Sequence, residues 1–118
     1  MSIKLPQEIE VWYIIPAIRR EFAKGLVKKG LKQREVAKIL GVTDAAISQY
    51  FSSKRASEVK FNQKIMNEIG SSVESISQKG NMLEEIQRIC RICKNDKICC
   101  FVHKKYGAEE NCRICFNK

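Results

Sequence analysis

The residue that most restricts how this chain can fold is Gly41, which separates two short amphipathic stretches, Gln33–Leu40 and Thr43–Phe51. In the first, Val36, Ala37 and Leu40 recur at helical spacing and leave Arg34, Glu35 and Lys38 for solvent. Glycine alone takes left-handed backbone angles without a steric penalty, so the pattern predicts a helix that stops at Gly41 in a tight turn. The next residues are those of a helix start. Thr43 can cap through its hydroxyl, and Asp44 suits the positive end of a helix dipole. Ala45 and Ala46 are small enough for close approach to a surface, and Ile47 with Tyr50 or Phe51 are the expected inward anchors.

Two helices joined by a short Gly-containing turn, the second with an exposed N-terminal face of small side chains, form an arrangement that can lay the second helix in the major groove of DNA. The residues Gln33-x-x-x-Ala37-x-x-x-Gly41-Val42-x-x-x-x-Ile47-Ser48 match such a unit position by position. Over about Pro16 to Ile69 the chain resembles the phage-repressor and Cro-like (XRE-type) helix-turn-helix family. The resemblance implies an all-α, lambda-repressor-like bundle that binds double-stranded DNA as a homodimer. It places Gln33 against the phosphate backbone and turns Thr43, Asp44, Ala45, Ser48 and Gln49 toward base edges, with Ala37, Gly41 and Ile47 structural. Asp44 stands where the family commonly has a neutral amide; a carboxylate there can accept from a cytosine amino group.

Charge agrees. The chain carries 22 Lys plus Arg against 13 Asp plus Glu, a formal charge of +9, which favours a polyanionic partner. Residues 1–60 hold 12 basic and 6 acidic side chains against 10 and 7 in residues 61–118, so the half with the two-helix unit is the more basic. Lys54 and Arg55 beyond the second helix, and Lys28, Lys29 and Lys32 before the first, are placed to meet phosphates.

Along the rest of the chain, Pro6 and Pro16 bracket Val11-Trp12-Tyr13-Ile14-Ile15, a helical turn or an extended arm. Its aromatic pair serves either core packing or a dimer contact. Ala17–Lys29 reads as the first full helix, with Ile18, Phe22 and Leu26 or Val27 on one face and Gly30 beyond its end. Glu58–Ile69 repeats the logic through Phe61, Ile65 and Ile69, with Gly70 expected to end it. The Ser-rich stretch that follows fits a weak helix or a linker. Asn81 with Glu84 three positions on resembles a capping box and opens a helix whose expected inward set is Leu83, Ile86, Ile89 or Cys90, and Cys93. The expected division is a DNA-binding unit over 1–70, a linker or weak helix over 71–80, and a Cys-rich segment over 81–118 that binds metal and contributes to dimerisation.

Six cysteines lie in that last segment. Cys90-Arg-Ile-Cys93 and Cys112-Arg-Ile-Cys115 are two C-x-x-C pairs with 18 residues between them, a spacing suited to four-thiolate metal binding. Zinc and iron–sulfur clusters share this donor. Spacing alone favours zinc. The position of Cys90 and Cys93 at the end of a continuous helix, the absence of Gly after either pair, and the surplus thiols Cys99 and Cys100 favour a cluster, [4Fe–4S] over [2Fe–2S], with Cys100 as the substitute ligand. Cys100-x-x-His103 makes a third ligand-spaced pair from the only histidine. A helix-turn-helix unit followed by this Cys-rich tail also resembles a group of small archaeal predicted transcription regulators.

No run approaches the ~18 apolar residues that a membrane span requires, and MSIKLPQEIE lacks the apolar core of a secretory signal, so the expected compartment is the cytoplasm. In a reducing compartment paired cysteines point to metal or redox chemistry before disulfides. C-x-x-C pairs also exchange disulfides, yet no βαβ pattern surrounds them, and no catalytic triad, phosphate loop or paired carboxylates stand out, so an enzyme is not expected. An adaptor whose two-helix unit only autoregulates is the third class; a co-purifying partner would mark it.

Overall fold

The computed structural model describes residue 8, residues 10–52, residue 59 and residues 61–95. Among these every element is helical. α1 (Glu10–Ile14) is a single π-helical turn; α2 (Ile15–Lys28), α3 (Gln33–Leu40), α4 (Asp44–Phe51), α5 (Gln63–Ser77) and α6 (Met82–Asn95) follow.

α2 is the hub of the bundle. It packs against α1, α3, α4, α5 and α6, while α3 meets α4 and α5 meets α6. Pro16 sits in its first turn, where a fixed φ suits a helix and no amide hydrogen is required, and this lets α2 begin two residues before the expected Ala17. Ala17, Ile18, Phe22, Ala23 and Leu26 form its buried stripe; Val27 is only partly covered. The helix closes through Gly30, at φ 105°, with Gly30 N–H donating to Val27 O at 2.9 Å and Leu31 N–H to Leu26 O at 3.2 Å. That pair of bonds satisfies carbonyls that the helix end would otherwise leave unpaired.

α5 departs from the expected pattern. It starts at Gln63, capped by Asn62 Oδ1, which accepts Ile65 N–H at 2.9 Å, and it runs through Gly70 to Ser77. Gly70 does not end it, because the inward residues Val73 and Ile76 carry the apolar face two turns further, and one exposed glycine costs only about 1 kcal/mol relative to alanine. The stop falls at Lys79, at φ 70°, where Gly80 N–H donates to Ser75 O at 2.7 Å and Lys79 N–H to Ile76 O at 3.0 Å. Residues 71–77, left open between linker and weak helix, are thus the end of α5.

α6 begins as expected, with Asn81 Oδ1 accepting Glu84 N–H at 3.1 Å. Its inward set is Ile86, Ile89, Cys90 and Cys93, which join the core formed by α2 and α5. Leu83, expected inside, is 68% exposed; Met82 takes the packing position at that end. An arginine clamp holds α6 to α5. Arg88 donates to the Glu68 carboxylate, to Glu68 O at 2.9 Å, to Ser72 Oγ at 2.6 Å and to Glu85 Oε1 at 3.3 Å, and the fully buried Ser72 hydroxyl donates to Glu85 Oε1 at 2.7 Å.

Candidate nucleic-acid interface

Gly41, at φ 68°, ends α3 as the sequence requires, with Gly41 N–H donating to Lys38 O at 3.3 Å and Val42 N–H to Ala37 O at 3.0 Å. Val42 folds back against the core, so the chain reverses within two residues. Thr43 then caps α4 by accepting Ala46 N–H at 3.0 Å on Oγ1. Its remaining O–H can donate outward. Ile47 is fully buried and Tyr50 nearly so, and Arg20 Nε of α2 donates to Tyr50 O at 3.4 Å, tying the far end of α4 down. Of the two aromatic anchors expected from sequence, Tyr50 is the inward one; Phe51 is 39% exposed. Ala46 also faces inward, so close approach to a surface falls to Ala45 alone.

Opposite these anchors lies an exposed stripe. Asp44, Ala45, Ser48 and Gln49 share one face of α4, Ser52 continues it, and Thr43 and Gln33 are exposed at the starts of α4 and α3. The stripe is short, polar and free of large side chains, as close docking to base edges demands. Ser52 Oγ donates to Gln49 O at 3.0 Å, which reinforces the last turn of α4.

Lys28, Lys29, Lys32, Arg34 and Lys38 are exposed around α3. Lys29 is already engaged, its ammonium paired with Glu74 of α5. The hydrogen bond and charge of Lys29 hold the Glu74 carboxyl below its ordinary range, with Gln78 assisting. That pairing leaves Lys28 and Lys32 as the better-placed phosphate contacts of the three. Lys54 and Arg55 lie outside the described residues.

Of the proposed donor set, Cys90 and Cys93 lie side by side on the inner face of α6, and Cys93 is wholly buried. Burial pushes the Cys90 thiol up to about 11; Glu10 adds to the shift while Arg19 and Arg91 oppose it. Without a metal Cys90 is therefore a neutral thiol, and coordination would release its proton. Among the described residues no three His, Cys, Asp or Glu side chains gather as a metal site. Cys99, Cys100, His103, Cys112 and Cys115 lie outside the described residues.

Sequence reasoning did not find the Arg20–Tyr50 bond or the clamp of Glu68, Ser72, Glu85 and Arg88. The spacing of Glu85 and Arg88 was a signal for part of the clamp. For Ser72, a polar residue in an apolar core, there was none.

Residues 22–77 match the helix-turn-helix family model, just under half of the 118-residue chain. The match supports the XRE-type helix-turn-helix resemblance over this stretch. Its end coincides with the end of α5, so the part of that helix beyond Gly70 belongs to the matched unit. No curated protein and no solved structure matches the chain. Among the described residues no helix is long and apolar enough to cross a membrane.

Proposed function

We propose that the protein is a sequence-specific regulator of transcription that reads double-stranded DNA with α4 and whose C-terminal cysteines hold an iron–sulfur cluster responsive to redox or iron state. The observation that carries the DNA reading is the exposed face Asp44–Ala45–Ser48–Gln49, backed by the buried Ile47 and Tyr50 and held in register by the Thr43 cap and the Gly41 turn. Gln33, Lys54 and Arg55 add contacts to the phosphate backbone. A homodimer places two such faces about 34 Å apart, one helical turn of DNA. The working compartment is the cytoplasm.

The ligands are Cys90, Cys93, Cys112 and Cys115, with Cys100 as the substitute. Support comes from the two C-x-x-C spacings and from the shared face that Cys90 and Cys93 occupy on α6. A bound cluster supplies an electron-accepting, iron-dependent centre. Since α6 packs on α2 and α5, and α2 also carries α3 and α4, a change in how Cys90 and Cys93 are held bears on the platform beneath the reading face. A structural zinc ion on the same four cysteines is the second reading, favoured by their spacing.

Selection from random duplexes with the full chain tests the first half. An enriched, (pseudo)palindromic sequence is expected; failure to bind duplex DNA would overturn it. An ultraviolet–visible spectrum with metal analysis on anaerobically purified protein tests the second. Iron with acid-labile sulfide supports the cluster, and one zinc per chain replaces it with a structural site. Equal operator affinity with and without metal would sink the sensing role.

A further inference from the structure

α4 carries neither lysine nor arginine. The commonest specific base contact, a basic side chain on guanine, is therefore closed to it. Bordering its exposed polar stripe is one large apolar side chain, Phe51, 39% exposed. Asp44, Ser48 and Phe51 follow one another at i, i+4 and i+7, so Phe51 stands only about 20° around the helix axis from Asp44 and about 10.5 Å further along it. The ring is not a displaced core anchor, because Tyr50 fills the inward position beside the fully buried Ile47. The turn that carries Phe51 is also fixed. Arg20 Nε donates to Tyr50 O at 3.4 Å, Ser52 N–H to Ser48 O at 3.0 Å and Ser52 Oγ to Gln49 O at 3.0 Å. A lone exposed apolar residue needs no explanation by itself, but this one is held in the row of the residues that face bases on the DNA-reading proposal.

We infer that Phe51 is a specificity-determining residue that reads the C5-methyl group of a thymine in the major groove. The inference rests on the proposal that α4 is the helix that enters that groove. Base edges there present hydrogen-bond donors and acceptors and one apolar group, the thymine methyl. An aromatic ring satisfies none of the donors or acceptors, so it gains against the methyl and loses against the polar edge of a G·C pair, whose groups it would strip of water. Base pairs rise about 3.4 Å each, so the ~10.5 Å between Asp44 and Phe51 spans at most about three steps of the duplex. Phe51 thus selects a thymine within about three base pairs of the base that Asp44 faces, once in each half-site.

Exchange of thymine for deoxyuridine is the test, because it removes the methyl group and leaves every hydrogen-bonding group of the base in place. In a duplex selected by the full chain, each thymine is exchanged in turn, and affinity is measured for the wild type, Phe51→Leu and Phe51→Ala, with urea midpoints as the check on folding. For the wild type, exchange at one position of a half-site should weaken binding about three- to fivefold, the worth of roughly one buried methyl. Phe51→Ala should bind the two duplexes equally. Phe51→Leu keeps an apolar contact, should retain part of the difference, and carries the test should Phe51→Ala not fold. Equal binding of all exchanged duplexes by the wild type would overturn the inference. So would a methyl preference that persists undiminished in both variants, which would belong to Ala45 or Thr43. Either result leaves DNA reading by α4 standing, whereas failure to select any duplex removes that proposal and this one with it.

Discussion

Gly25 of α2 lies so close to Val73 of α5 that a Cβ on Gly25 would stand 2.8 Å from Val73 Cγ2 and 3.0 Å from Val73 Cγ1. Valine is branched at Cβ and stiff in a helix, so neither methyl can swing aside, and this contact fixes how closely α2 and α5 approach. Gly25→Ala would gain about 1 kcal/mol of helix propensity. Against it stands an overpacking cost of about 1–3 kcal/mol. The expected result is a net loss of about 1 kcal/mol by urea denaturation. In a Val73→Ala background, where both methyls are gone, the same substitution should become stabilising, and a double-mutant cycle reads that reversal of sign.

Gly70, on the same helix as Val73, should respond in the opposite way. Its Cβ would meet nothing within 4 Å, it is exposed, and its φ is not positive. Gly70→Ala should raise stability by about 0.5–1 kcal/mol through backbone entropy and helix propensity. A decrease would mean that Gly70 relieves a contact absent from this packing.

Gly41 and Gly70 mark where the sequence is legible and where it is not. Gly41 announces its role because its neighbours change pattern there: an apolar stripe stops before it and capping residues follow it. Gly70 carries no such change, and only the burial of Val73 and Ile76 shows that the helix continues through it. Lys79 is the converse case, a non-glycine residue in the left-handed region that no local signal marks as a helix stop. Leu83 was misplaced because helical periodicity on α6 fits either Met82 or Leu83 at the inward position, and the partner helix decides between them. The exposed face of α4 was legible in the sequence, since Thr43, Asp44, Ala45, Ser48 and Gln49 are all exposed. The inward turn of Ala46 follows from the i, i+4 relation that puts it in line with Tyr50.

Asp44 opens α4 as the one carboxylate on the exposed stripe, and on the DNA-reading proposal it sets a base preference. A carboxylate accepts from the cytosine amino group, whereas an asparagine in its place bonds adenine through two atoms. Asp44→Asn should change the preferred base from cytosine to adenine at one position of each half-site. The discrimination should be about 1–3 kcal/mol, roughly 5- to 150-fold in relative affinity. Loss of the negative charge should also strengthen binding to unrelated duplex, because a carboxylate repels phosphate. Selection experiments on both proteins measure the two effects together; an unchanged base preference would place Asp44 away from the base edges.

Thr43→Ala removes the acceptor for Ala46 N–H while leaving the buried residues of α4 untouched. The expected loss is about 1 kcal/mol of stability, with Thr43→Ser recovering most of it. Fraying of the first turn also displaces Asp44 and Ala45. DNA affinity should therefore fall further for Thr43→Ala than for a change of equal stability cost elsewhere, and comparing it with Asn62→Ala, the equivalent cap of α5, isolates that extra loss.

Arg88 is the residue on which the seating of α6 depends most. It reaches the carboxylate and backbone oxygen of Glu68, Ser72 Oγ and Glu85, all from one side chain about one-third exposed. Replacement by methionine keeps the aliphatic stem but strips the partners of their donor. The two glutamates can rehydrate at the surface, and the buried Ser72 hydroxyl retains its bond to Glu85, so the cost should be about 2 kcal/mol and not larger. Arg88→Lys should recover little, because a single ammonium cannot serve donors spread across a planar fork. The location of the loss is the sharper prediction. Amide exchange in α6 should quicken well before exchange in α3 and α4, since α6 is tied to the bundle through α5 and α2 while α3 and α4 are anchored on α2 independently. Equal acceleration in all helices would mean that α6 and α4 unfold as one cooperative unit, with the cysteine face of α6 and the exposed face of α4 coupled through the whole bundle.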